Sequence, residues 1–163
     1  MSDARESRST IAVEHIKIAS TKSFAEAKAA LERLVPELDP GILVLLRAGE
    51  SERALKQLES GPVLARFLSR DHGSLLQIAG RRSKAVQYDI GNPLTASRMT
   101  RHQLSAALYA PLRVLLYEDA SGHAAFEYDR PSSLFGQFGD ERVTAVAREL
   151  DASLERVLID AAR

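Results

Sequence analysis

Residues 85–129 read AVQYDIGNPLTASRMTRHQLSAALYAPLRVLLYEDASGHAAFEYD, and the two ends of this stretch decide the fold. At its start, Val86, Tyr88 and Ile90 point to one face of an extended segment and Gln87 and Asp89 to the other. That period of two belongs to a strand with one buried side. At its end, Arg113–Glu118 and Ala124–Asp129 flank Asp119-Ala120-Ser121-Gly122. A polar, Gly-ended loop of about four residues suits a hairpin. In between, Gly91-Asn92-Pro93 turns the chain: Asn bonds neighbouring backbone and Pro fixes the exit direction. Thr95–Leu108 reads as a short helix or helical loop.

Upstream, Ser74–Ala79 reads as a strand joined to Ala85–Ile90 through the tight basic turn Gly80–Lys84. Glu50–Leu68 reads as helical in two pieces, broken at Ser60-Gly61-Pro62, with Pro62 suited to a first helical turn. Ile42–Leu46 is an apolar run whose state periodicity does not decide. Ser23 and Glu26 form a capping box before Phe24, Ala27, Leu31, Leu34 and Val35, an apolar stripe at helical spacing. Pro36 and Asp39-Pro40-Gly41 end that helix. Ile11–Ala19, rich in β-branched residues, reads as a first strand, and residues 1–9 as a disordered tail. Downstream, Asp140 caps a long helix striped by Val143, Val146, Ala147, Leu150, Leu154, Val157 and Leu158. The expected architecture is α+β: a mostly antiparallel sheet in β-α-(helical insertion)-β4-α order with helices packed on one face. Residues 10–163 are expected to form a single domain.

The chain has 163 residues, enough to bury a sizeable core, and 22 basic residues balance 22 acidic ones. Zero formal net charge and 6% aromatic residues give no reason to expect a nucleic-acid partner. The absence of cysteine excludes disulfides, thiolate nucleophiles and Cys-ligated zinc. No apolar run is long enough to span a bilayer and the N-terminus has no leader-like segment, so a cytoplasmic location is expected, with no membrane partner.

No P-loop, G-x-G-x-x-G, G-x-S-x-G or H-E-x-x-H motif is present, and the four histidines lack paired ligand spacing. No cofactor and no metal site are therefore expected. Arg81-Arg82-Ser83-Lys84 reads as a solvated tip, with phosphate binding as the alternative. Asp71-His72-Gly73-Ser74 has two readings. Asp71 or Ser74 serves as a cap and turn residue, or His72 serves as a ligand contact or general base. Asn92 is explained by turn chemistry alone. Arg113 is either an anion clamp at a strand mouth or the partner of Asp89, Glu118 or Asp129 in a structural ion pair.

Three segments carry a family resemblance: Tyr88-Asp89-Ile90-Gly91-Asn92-Pro93, Ala110-Pro111-Leu112-Arg113-Val114, and Tyr128-Asp129-Arg130-Pro131 after Gly122. In this order they resemble domain-of-unknown-function family 302, whose members show a strand ending in (G/C)-N-P, an L-P-(L/C)-R-V strand and a hairpin finishing in Y-x-x-P. The resemblance covers residues 72–160 well and 11–35 loosely, and Glu50–Asp71 fits it poorly. It implies a TATA-binding-protein-like fold class and a homodimer, and no established activity. Gly91 and Leu112 stand where branches of the family carry cysteine, and Ala110 stands where leucine is usual.

The leading functional expectation is a small-molecule-binding homodimer, with His72, Tyr88, Asn92, Arg113 and Asp129 as the ligand-binding candidates. A hydrolase- or lyase-type enzyme using His72 as base and Arg113 as anion clamp is the first alternative; it requires both to line one cleft. A structural or interaction module is the second.

Overall fold

The computed structural model describes residues 4–163. Five strands form one antiparallel sheet: β1 (His15–Ala19), β2 (Ala65–Asp71), β3 (Ala85–Gly91), β4 (Leu112–Glu118) and β5 (Ala124–Asp129), in spatial order β1-β5-β4-β3-β2. Alternation sorts the side chains. Val86, Tyr88 and Ile90 of β3, Val114 and Leu116 of β4, and Phe126 and Tyr128 of β5 are all buried on one face. Helices α1 (Phe24–Leu34) and α7 (Glu141–Ala162) pack against each other and supply Leu31, Leu154 and Leu158 to that core. Both helices start where the side chains dictate. Ser23 and Glu26 complete the capping box of α1, and Asp140 accepts from the Arg142 N–H at the head of α7. The architecture is α+β, with one strand preceding the helical segment and four following it.

The helical segment differs from expectation in detail. Asp39-Pro40-Gly41 opens a helix as well as closing one: the Asp39 carboxylate accepts from the Gly41 N–H at 2.8 Å, and α2 (Pro40–Arg47) contains the undecided apolar run. The first piece of Glu50–Leu68 is α3 (Ser51–Ser60), but the second is not a helix. Its last residues enter β2, whose register shifts between Arg66 and Leu68. A bulge on an edge strand breaks the period of two, which is why the pattern escaped a strand reading.

Ser74–Ala79 is correspondingly helical, not a strand. Asp71 accepts from the Ser74 N–H at 2.9 Å and starts α4 (His72–Leu75), which runs into a 3-10 helix over Leu76–Ala79. β3 therefore pairs with β2 and β4, not with residues 74–79. The first strand begins at His15 rather than Ile11, because its ladder partner β5 ends at Asp129. Of the expected tail, residues 1–3 lie outside the described residues, and 4–9 carry no helix or strand. After β3, α5 (Pro93–Thr100) and a 3-10 helix (Leu104–Tyr109) replace the single helical stretch. A short helix, α6 (Pro131–Phe135), follows β5 and seats Phe135 in the core. No helix among the described residues is long and apolar enough to cross a membrane.

Candidate functional site

The β3–β4 ladder ends at the pair Ile90–Leu112, and beyond that rung the two chains diverge. β3 turns through Gly91-Asn92 into α5, while β4 arrives from Pro111. The gap between them is a cavity of about 130 Å³, lined mainly by apolar groups. Phe67 of β2, Ala96 and Met99 of α5, Phe135 of α6 and Leu150 of α7 close its walls, and Gly91 and Pro111 stand at its sheet side. A Cβ built on Gly91 would meet Phe67 at 3.6 Å and Pro111 at 3.7 Å, ordinary contact distances. The missing side chain at position 91 is part of what keeps the space open.

Asn92 holds the turn in place. Its Oδ1 accepts from the Leu94 N–H at 2.8 Å, and its amide donates to the Pro62 and Val63 carbonyls at 3.3 and 3.2 Å. One residue thus caps α5 and ties it to the segment leading into β2. A second cavity of about 360 Å³ lies on the other side of Asn92-Pro93, against Pro36, Leu38, Ile42 and Leu58. The polar atoms Asn92 could offer there are already satisfied.

Arg113 lies on the sheet face turned away from α1 and α7. It sits opposite Asp89 in the β3–β4 ladder and lines a shallow groove of about 520 Å³ that shares Ala110 and Pro111 with the apolar cavity. Asp89 does not pair with it. The Asp89 carboxylate takes two bonds from Arg70, both 2.9 Å. On the β5 side, Asp129 bonds His15 Nδ1 at 3.0 Å and Glu127 bonds His15 Nε2 at 3.0 Å. These two carboxylates, Asp129 first, raise the His15 pKa. Glu127 is held below its ordinary range, chiefly by the Tyr117 hydroxyl that donates to it. Arg113 has no hydrogen bond or ion pair among the described residues.

The candidate residues are therefore not one cluster. Asn92 and Arg113 border the same end of the sheet, and Asp129 lines a small crevice with Arg113. Tyr88 faces the other way, fully buried against the helices, its hydroxyl donating to Glu32 at 3.0 Å. Burial, first, and the Glu32 charge push its phenol pKa well up. His72 follows Asp71, which pairs with Val86 near the far end of β3, whereas Arg113 pairs with Asp89. Roughly 10 Å of strand separates those rungs, and His72 lines neither the groove nor the crevice that Arg113 borders. His72 Nε2 is buried without a hydrogen-bond partner. No group of three or more His, Asp or Glu side chains among the described residues could hold a metal ion.

The wall residues Phe67, Met99 and Phe135 were not singled out from sequence. Phe67 falls in Glu50–Leu68, which the sequence reads as helical, and Phe135 falls between the last expected strand and the closing helix. The legible signals were Gly91, Pro93, Pro111 and Leu112, members of two motifs about 20 residues apart that meet here.

Residues 50–161, more than half of the chain, match the family model described as "Domain of unknown function DUF302". The chain belongs to the DUF302 family. The match includes Glu50–Asp71, the stretch that fitted the sequence resemblance poorly, and leaves out α1. No curated protein matches the chain. A solved structure, that of an uncharacterized conserved DUF302 protein from Bacillus stearothermophilus, is similar with a TM-score of 0.67 and 17% identity. The alignment covers 91% of this chain and 98% of that one. At that identity the likeness speaks for the fold. In this DUF302 chain, Gly91 and Leu112 both line the apolar cavity. No thiol is present there.

Proposed function

We propose that this DUF302 chain is a small-molecule-binding domain whose site is the apolar cavity beyond the last rung of the β3–β4 ladder. The observation that carries the proposal is the convergence of Gly91-Asn92-Pro93 and Pro111-Leu112, about 20 residues apart in sequence, on one cavity. Concave apolar sites with few polar groups are the usual geometry of ligand binding. An apolar cavity of roughly 150 Å³ takes up a benzene-sized group, so the apolar part of the ligand is small.

Gly91→Leu tests this reading, because the new side chain projects among Phe67 and Pro111 from backbone that needs no positive φ. A thermal-shift screen of small aromatic and alkyl compounds should yield binders of the natural sequence that Gly91→Leu no longer binds. Binders that the variant retains in full would place the site elsewhere.

The reading includes a homodimer, as the family resemblance implies. Support comes from apolar side chains left at the surface: Ile78, Leu104 and Leu108 are 79–90% exposed. Light scattering coupled to size exclusion should give twice the chain mass; a monomer throughout the micromolar range would remove the dimer and leave the cavity untouched. The reading also includes a TATA-binding-protein-like fold class, as the family resemblance implies, and no nucleic-acid partner follows from that.

A second reading, an interaction module, is favoured by one observation. Leu43, Val44 and Leu46 of α2 and Leu55 of α3 are all exposed. Substituting them with serine should leave ligand binding intact if the cavity is the functional site.

A further inference from the structure

We infer that the ligand is a small amphipathic carboxylate, its apolar end in the cavity and its anionic head on Arg113. The inference rests on the cavity reading above and specifies what the cavity takes.

Alternation places Asp89 and Gly91 of β3 on the same sheet face as Pro111 and Arg113 at the β4 side. Gly91 and Pro111 border the cavity, and Asp89 and Arg113 form the next pair on that face. Two residues of strand span about 7 Å, roughly the length of a short linker between a ring or alkyl group and a carboxylate. The groove that holds Arg113 shares Ala110 and Pro111 with the cavity.

The charges in the row explain why Arg113 is available. Across β3, β4, β5 and β1 it runs Asp89, Arg113, Asp129, His15. Arg70 of β2, which sits opposite Gln87, reaches diagonally to Asp89, so the signs alternate when His15 is protonated. Each carboxylate is engaged on its outer side: Asp89 gives both oxygens to Arg70, and Asp129 bonds His15. Arg113, in the middle, is left with an exposed guanidinium whose paired donors match a carboxylate fork. Because Asp89 and Asp129 flank it, a compact monocarboxylate fits better than a multiply charged phosphate, which would meet repulsion on both sides.

The test uses phenylpropionate and its neutral counterpart phenylpropanol, with binding to the full chain followed by calorimetry and by amide shifts around Gly91. The natural sequence should bind phenylpropionate more tightly than phenylpropanol. Arg113→Gln should weaken phenylpropionate about tenfold, the scale of a lost charge-assisted hydrogen bond, and leave phenylpropanol unchanged. Gly91→Leu should abolish both. Equal binding of the two compounds, unaffected by Arg113→Gln, would overturn the carboxylate anchor while leaving the cavity in place. Binding of neither compound would overturn the cavity reading and the anchor with it. Arg113 is exposed, so its replacement does not disturb the core, and an unchanged melting temperature verifies that.

Discussion

Asp89 and Arg113 stand directly opposite each other across the β3–β4 ladder, yet Asp89 gives both of its carboxylate oxygens to Arg70 of β2. Arg70 thereby decides how the pair behaves. In Arg70→Ala, Asp89 is released to face Arg113, its partner across the ladder. Stability should barely fall, since Arg70 is an exposed partner and solvent screens the pair. The preference of the groove for a carboxylate should drop as far as in Arg113→Gln. Calorimetry with phenylpropionate checks this, and undiminished binding would show that Arg70 does not hold Asp89 away.

Tyr88 contributes to stability through the helix side of the sheet. Its ring is fully buried and its hydroxyl donates to Glu32, which also pairs with Lys28. Tyr88→Phe keeps the ring and removes the bond. A loss of about 1–2 kcal/mol is expected in urea unfolding, with no change in binding at the cavity. A change in affinity without a change in stability would place Tyr88 in the site instead.

Gly73 is fixed by space. A Cβ there would sit 2.2 Å from the Ser83 carbonyl oxygen and 3.0 Å from the Ala85 nitrogen, both backbone atoms. Gly73→Ala must push α4 off the strand pair it abuts, and a cost of at least about 2 kcal/mol should follow. Gly136→Ala, with nothing within 4 Å, is the matched control and should be close to neutral.

His15 makes the β1–β5 edge sensitive to pH. Its folded pKa is raised above the free value by Asp129, then Glu127. The stabilisation is therefore fully present below about pH 6.5 and is lost as pH rises through the higher folded pKa. Relative to His15→Gln, the natural sequence should lose its advantage as pH is raised from about 6 to about 8. An imidazole titration followed by NMR, with a His15 midpoint at or below the free value, would contradict this.

The sequence by itself determined the elements whose signals are local. The alternation of Val86, Tyr88 and Ile90, the hairpin around Gly122, the Ser23 capping box and the Asp140 cap all act over a few residues, and each names its own structure. Tertiary pairing decided the rest. Residues 65–71 became β2 because β3 offered an open edge, and the bulge at that edge erased the periodicity by which a strand is recognised. Ser74–Ala79 holds one β-branched residue, Ile78, among good helix formers, and the Asp71 carboxylate starts it as helix. For the site, the two motifs could be read in sequence, but the space between them could not. Phe67, Met99 and Phe135 come from three other elements, and a cavity belongs to the gap that packed elements leave. The availability of Arg113 is likewise a property of the sheet, since it depends on which neighbour each carboxylate faces across strands that lie far apart in the chain.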